Sequence, residues 1–300
     1  MSVRPLPALV LLATAACADV DVVARRARPC PQACTVVDGF PPLFALAVMD
    51  ERLVFGTFEQ GAIVSVKPDG SDLERLTDRA RYAFTLSPRR GALVLTAQEP
   101  SRLIVLPRDG GSAEEVPLAN RPFPSVVTDD EHLVFATYDG LFSVDLATRV
   151  ERPLLQLDGG VRFVGGHGSM LAFSTVDRVS SLDRSTGVQT PLAEVPEVWG
   201  LRFDGDSLGW VEVERGAVVL QRGGVTQRFQ TPVATAHAFV RSGQSLFVTG
   251  LSAKTVSRVD LVTGEATVVA TDEGDTLNIV DTPWGLYWTN AAGQVRRLTP

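Results

Sequence analysis

Residues that carry most enzyme chemistry are scarce in this chain. It has 3 histidines and 3 cysteines among 300 residues, so a site built from clustered imidazoles or thiolates has little to draw on. The one Gly-x-Ser-x-Gly stretch, Gly205-Asp-Ser-Leu-Gly209, falls where a polar turn runs into the Leu208 strand pattern, so it does not read as the strand-to-helix elbow of a serine hydrolase. Gly165-Gly-His-Gly168 lacks the lysine of a phosphate-binding loop and leads into a strand pattern, so it reads as a turn. Basic residues are scattered, and the net charge is −7 with a pI near 5.1. A nucleic-acid binder would carry a basic patch or stripe instead. The one short cluster, Arg25, Arg26 and Arg28, reads as part of a solvated tether. No apolar run reaches the roughly 20 residues that a membrane-spanning helix needs. The 3.6-residue period of amphipathic helices is missing, whereas Val, Leu, Gly and Thr recur at short intervals, the signature of strands and turns.

The N-terminus carries an export signal over residues 1–16. Arg4 supplies the positive end, and Ala8 to Ala16 forms an apolar core too short to span a bilayer. The following Thr14-Ala15-Ala16-Cys17 resembles the lipobox of bacterial lipoproteins, in which small residues precede a cysteine that becomes lipidated and N-terminal. The resemblance implies lipidation at Cys17, a tether over residues 17–32, and anchorage by lipid alone. Ala18 after Cys17 points to the outer membrane or cell surface. The alternative is ordinary cleavage, leaving a periplasmic or secreted protein. Lipidation of Cys17 removes the odd cysteine and leaves Cys30 and Cys34, whose short loop suits a disulfide in an oxidising compartment. Two cysteines without nearby histidines do not complete a zinc site, and no metal or other cofactor is expected.

The rest of the chain repeats. A leucine, a variable residue and a large apolar residue recur at Leu53-Val-Phe55, Leu93-Val-Leu95, Leu133-Val-Phe135, Leu171-Ala-Phe173, Leu208-Gly-Trp210, Leu246-Phe-Val248 and Leu286-Tyr-Trp288. The leading leucines are 40, 40, 38, 37, 38 and 40 residues apart. Each repeat has an apolar strand before the motif (A), the motif strand (B), a third strand (C), an Asp/Gly turn and a short fourth strand (D). Units of this length with four short antiparallel strands are propeller blades. The expected fold is therefore all-β, a single seven-bladed β-propeller of four-stranded antiparallel blades over residues 33–300. The seventh repeat stops after its C strand. Counting back from Leu53 places the missing fourth strand at Thr35-Val-Val37, so an N-terminal strand closes the ring. The aromatic residues of the motif, Phe55, Phe135, Phe173, Trp210 and Trp288, are expected to pack between blades.

Leu286-Tyr-Trp-Thr-Asn290 resembles the core of YWTD-type propeller repeats, with Leu53-Val-Phe-Gly-Thr57 and Leu133-Val-Phe-Ala-Thr137 as looser versions. Val144-Asp-Leu-Ala-Thr148 and Val259-Asp-Leu-Val-Thr-Gly264 resemble the C–D hairpins of TolB-like and other bacterial propellers. The resemblance implies the fold and no particular chemistry.

Propeller sites lie at the channel mouth, lined by A-strand starts and B–C loops. The former are Phe44, Phe84, Ser125, Arg162, Trp199, His237 and Asn278; the latter Glu59, Glu99, Tyr138, Asp139, Asp177, Glu214 and Lys254. His132 and His167 fall at the opposite face, so only His237 reaches the mouth. A lyase resembling the streptogramin-inactivating propellers would need two histidines and a carboxylate together, which this chain does not supply. The expected function is a non-enzymatic extracytoplasmic scaffold that binds an envelope protein or a small ligand through Tyr138, Asp139, Arg162, Trp199 and His237. The alternative is a hydrolase or lyase using His237 with a loop carboxylate such as Asp139 or Glu214.

Overall fold

The computed structural model describes residues 33–298 except 84, 90, 108–110, 124–125, 129–130, 234 and 272. The expected signal, the tether, Cys17 and Cys30 lie outside the described residues, as do Phe84 and Ser125. Within them the chain folds into seven sheets of four antiparallel strands, with no helix. Six sheets run in chain order from the inner A strand to the outer D strand. The inner strands are Leu43–Met49, Leu86–Arg89, Val126–Thr128, Phe163–His167, Val198–Asp204, Ala236–Ser242 and Thr276–Thr282. Each contacts the next around a ring, and the inner strand of blade 7 contacts that of blade 1.

The motif strand is buried from end to end in blades 5 and 7, because each sheet is covered on both faces by its neighbours. The large apolar residue of every motif faces the preceding blade. Phe55 packs with Tyr287 and Val295 of blade 7, Phe135 with Val94 and Leu103 of blade 2, and Trp288 with Val240 and Val256 of blade 6. Phe55, Phe135, Phe173, Trp210 and Trp288 are all at most 1% exposed. This shared environment explains the spacing of the leucines: a shift of one residue would turn every core side chain to the wrong face.

Asp/Gly turns join the C and D strands. In blade 6 the Asp260 carboxylate accepts hydrogen bonds from the backbone N–H groups of Val262 and Thr263, at 2.8 and 2.9 Å. Gly264 then takes a positive φ of 74°. Asp145 caps the matching turn of blade 3 through Ala147 and Thr148. These bonds stabilise the charged form and hold both carboxyls below the ordinary aspartate value.

The seventh sheet closes the ring. Its order runs from Thr276–Thr282 through Gly285–Asn290 and Val295–Leu298 to the N-terminal strand Cys34–Val37. Cys34 pairs with Arg297, Thr35 with Arg296 and Val37 with Val295. Arg296 ties this junction together. Its guanidinium meets the Glu273 carboxylate at 2.7 and 3.0 Å and donates to the Thr35 hydroxyl at 2.6 Å and the Ala33 carbonyl at 3.3 Å.

One sequence reading changes. Gly165, Gly166 and His167 belong to the inner strand of blade 4, and only Gly168 lies in the turn. The reason is close packing of inner strands: a Cβ on Gly165 would sit 3.3 Å from the Cα of Arg202 in blade 5.

Candidate functional site in the central channel

The seven inner strands enclose a channel of about 1240 Å³. Its lining includes Tyr138, Arg162, Trp199 and His237, so the ring brings four of the five expected binding residues to one space. Asp139 is not among the lining residues; it lies exposed in the B–C turn of blade 3. His167 lies at the far end, where its Nε2 is 3.5 Å from Asp206.

β-Bulges place residues at the mouth. The ladder between A and B strands slips at Phe44 in blade 1 and His237 in blade 6, and over Gly200 and Leu201 just after Trp199 in blade 5. A bulge frees one residue from pairing and redirects it. The position matching His237 in blade 7 is Leu277, and Asn278 follows it in register with Thr289.

Aromatic rings form an arc across blades 4, 5 and 6. Phe163 and Trp199 have centroids 5.6 Å apart, and Trp199 and His237 4.5 Å apart. The Trp199 indole N–H donates to Glu197 at 3.2 Å. Across the mouth, Phe44 stacks on Phe58 at 4.3 Å, and Tyr138, 65% exposed, leans on Phe123 at 4.2 Å.

His237 Nδ1 is 2.7 Å from the Leu277 carbonyl oxygen. A carbonyl only accepts, so Nδ1 carries the proton and donates it. Burial pushes the pKa of this histidine down to about 4, against the opposing pull of that bond. At neutral pH the ring is therefore uncharged, and Nε2 keeps its lone pair. Among the described residues His237 has no hydrogen bond or ion pair to a carboxylate.

Two arginines line the same wall. Arg162 is half-buried, and its guanidinium has no hydrogen bond or ion pair among the described residues. Arg202, absent from the sequence expectation, stands farther along the channel and donates to the Phe239 carbonyl at 3.3 Å. The surrounding protein desolvates it, which lowers its pKa, while nearby Asp204 acts the other way. Asp204 itself is 3.7 Å from Arg241. A signal for Arg202 was present in the repeats. Six residues before each leading leucine stand Ala47, Ser87, Val127, Gly165, Arg202, Val240 and Val280. All seven pair with the residue after that leucine. Only blade 5 puts a charge there.

No family model matches the chain, and no curated protein matches it in sequence. Solved structures do match the fold. Virginiamycin B lyase from Staphylococcus aureus superposes with a TM-score of 0.75 at 16% identity, over 90% of this chain and 98% of that one. A catalytically inactive histidine-to-alanine form of the same lyase, with quinupristin, gives 0.76 at 15% identity with the same coverage. The extracellular domain of a one component system protein from B. thetaiotaomicron gives 0.71 at 11% identity, over 90% of this chain and 43% of that one. At such identities the likeness establishes the seven-bladed propeller and carries no chemistry across.

Proposed function

We propose that the chain is a non-enzymatic binding scaffold, exported and held at the outer membrane or cell surface by a lipid on Cys17. Its partner is an envelope protein or a small ligand taken at the channel mouth. The observation that carries this reading is the arc of Phe163, Trp199 and His237 beside Arg162, a cation without a partner among the described residues. Rigid aromatic faces next to an unpaired cation are the usual anchors of recognition. Residues 14–17 support the lipid anchor, and cleavage without lipidation would instead leave a periplasmic or secreted protein. A Cys30–Cys34 disulfide fits the cysteine count and would brace the start of the closing strand. Nothing in the charge pattern supports nucleic acid as a partner.

The test is in-cell crosslinking of the tagged chain followed by mass spectrometry. A single dominant partner, lost when Trp199 and Tyr138 are replaced by alanine, supports the scaffold; capture unchanged by both replacements removes the mouth as its site.

One observation favours a second reading, a hydrolase or lyase: His237 presents an unprotonated Nε2 in the channel wall. It would need Asp139 or Glu214 as its carboxylate. Asp139 belongs to blade 3 and His237 to blade 6, while Glu214 sits in the B–C turn of the adjacent blade 5. Turnover of a lactone or ester panel that disappears in His237→Ala and in Glu214→Gln would establish it; turnover unchanged by both removes this site.

A further inference from the structure

We propose that the channel binds a small carboxylate with a planar ring, the carboxylate held by Arg202 and Arg162 and the ring laid against Phe163, Trp199 and His237. This rests on the scaffold reading and names its ligand class.

The argument starts from two arginines with spare donors. A guanidinium carries five N–H donors and no acceptor. Arg202 spends one on the Phe239 carbonyl. Asp204 attracts it without a hydrogen bond and is shared with Arg241 at 3.7 Å. Arg162, one blade away, has no polar partner among the described residues. Arg202 is exposed to the channel and Arg162 half-buried beside it, so both keep donors open to a channel ligand; core packing does not require an arginine there, since the position of Arg202 is filled by Ala, Ser, Val or Gly in the other six blades. A carboxylate is the natural occupant, because the flat fork of arginine donates two parallel hydrogen bonds to its two oxygens.

The ring follows from the neighbours. Arg162 precedes Phe163 in the chain, and the faces of Phe163, Trp199 and His237 succeed one another at 5.6 and 4.5 Å. His237 is neutral beside these arginines and adds no competing cation. The channel acids, Asp275 and Asp281, belong to blade 7, away from the arginines of blades 4 and 5. The arginines with open donors thus share the wall of blades 4 to 6 with the ring arc, whereas Arg121 of the channel lining is engaged by Gln98 and Glu99. The channel volume of about 1240 Å³ exceeds what a ligand of this size fills, which places the ligand off-axis against that side.

The experiment titrates the detergent-solubilised full chain by calorimetry with benzoate, indole-3-carboxylate and indole-3-acetate, each beside its neutral carboxamide, and with inorganic phosphate. The expected result is at least one carboxylate binding about tenfold or more tighter than its amide. Arg202→Gln and Arg162→Gln should each weaken it by about tenfold with unchanged melting temperature, and Trp199→Leu should weaken it while leaving the carboxylate-over-amide preference intact. The proposal is overturned if no carboxylate outcompetes its amide, if phosphate binds as tightly as the best carboxylate, or if neither arginine variant changes affinity. The two readings fail separately: a crosslinked partner lost in the Trp199 and Tyr138 variants, with no carboxylate preferred over its amide in the calorimeter, would sink the ligand and keep the scaffold.

Discussion

Replacing Arg296 by methionine should open the ring. Its guanidinium joins three segments: the C strand of blade 7, Glu273 on the connection into blade 7, and the closing strand at Ala33 and Thr35. Glu273 is 3% exposed, and its remaining side-chain donor is the Trp288 indole N–H at 3.3 Å. Removing the arginine leaves this carboxylate buried without a counter-charge, which costs about 3–5 kcal/mol in comparable pairs. The bonds to Ala33 and Thr35 are lost with it. They add to the same event and not independently, so the expected loss is about 4 kcal/mol. In a domain of this size each kcal/mol shifts Tm by roughly 2–4 °C, so the variant should melt about 10 °C lower. The double variant Arg296→Met, Glu273→Leu should regain most of the loss, because an apolar pair removes the stranded charge. Thermal unfolding followed by circular dichroism measures both, and hydrogen exchange reports whether the amides of 34–37 become unprotected. A shift below about 2 °C for Arg296→Met, or unchanged protection of the closing strand, would refute the clamp.

Deleting residues 30–38 removes the closing strand and exposes Val295–Leu298 as an unpaired edge, so the product should aggregate on light scattering; a soluble, cooperatively melting product would count against the closure. His237 should titrate near 4 and not 6.5 by NMR. Below pH 6.5 the unfolded chain takes up a proton that the folded chain refuses until about 4. The contribution to stability is therefore undiminished above 6.5 and falls as pH drops through that window. His237→Asn should flatten the pH dependence of Tm between 7 and 5, and an unperturbed titration near 6.5 would contradict the burial argument. Gly293→Ala should lose about 3 kcal/mol or more in chemical denaturation, because its Cβ would lie 1.6 Å from the Phe40 carbonyl oxygen at a φ of 77°; a loss under about 1 kcal/mol would show that the turn relaxes freely.

The fold is legible because the motif strand is covered on both faces in every blade. Its apolar residues cannot drift without losing core, so their spacing survives in the sequence. The closing strand is legible for the complementary reason, a seventh unit one strand short. The site is legible only where the repeat offset points to the mouth, as at Tyr138, Arg162, Trp199 and His237. Phe163 is hidden among apolar strand residues that look like core, and Phe123 sits in a Pro-flanked loop outside the repeat offsets. The Gly165–Gly166 pair reads as a turn from composition alone, since the close approach of Arg202 in the next blade is a tertiary fact. Arg296 pairs with Glu273 across 23 residues and also reaches Thr35, 261 residues away; no local pattern announces such a junction.

A seven-fold repeat supplies its own control, since each position has six internal counterparts in nearly the same surroundings. The third motif residue is Phe, Leu, Phe, Phe, Trp, Val and Trp. Size varies and apolarity does not, because every copy meets another blade. Positions facing the channel meet a shared open space, so packing imposes no common residue there. Departures fall unevenly: arginines with open donors beside an arc of tilted rings occupy blades 4 to 6, while the matching wall of blade 1 holds Phe44 and Ala47. An asymmetric lining is what a ligand lying against one side requires. A protein capping the whole mouth would instead touch both sides, including Tyr138 and the Phe44–Phe58 stack. The two occupants therefore separate by mutation. Replacing Phe58 and Tyr138 by alanine should weaken a capping partner and spare a carboxylate in the channel, whereas Arg202→Gln should do the reverse. Equal loss of both in either variant would mean that partner and ligand share one site.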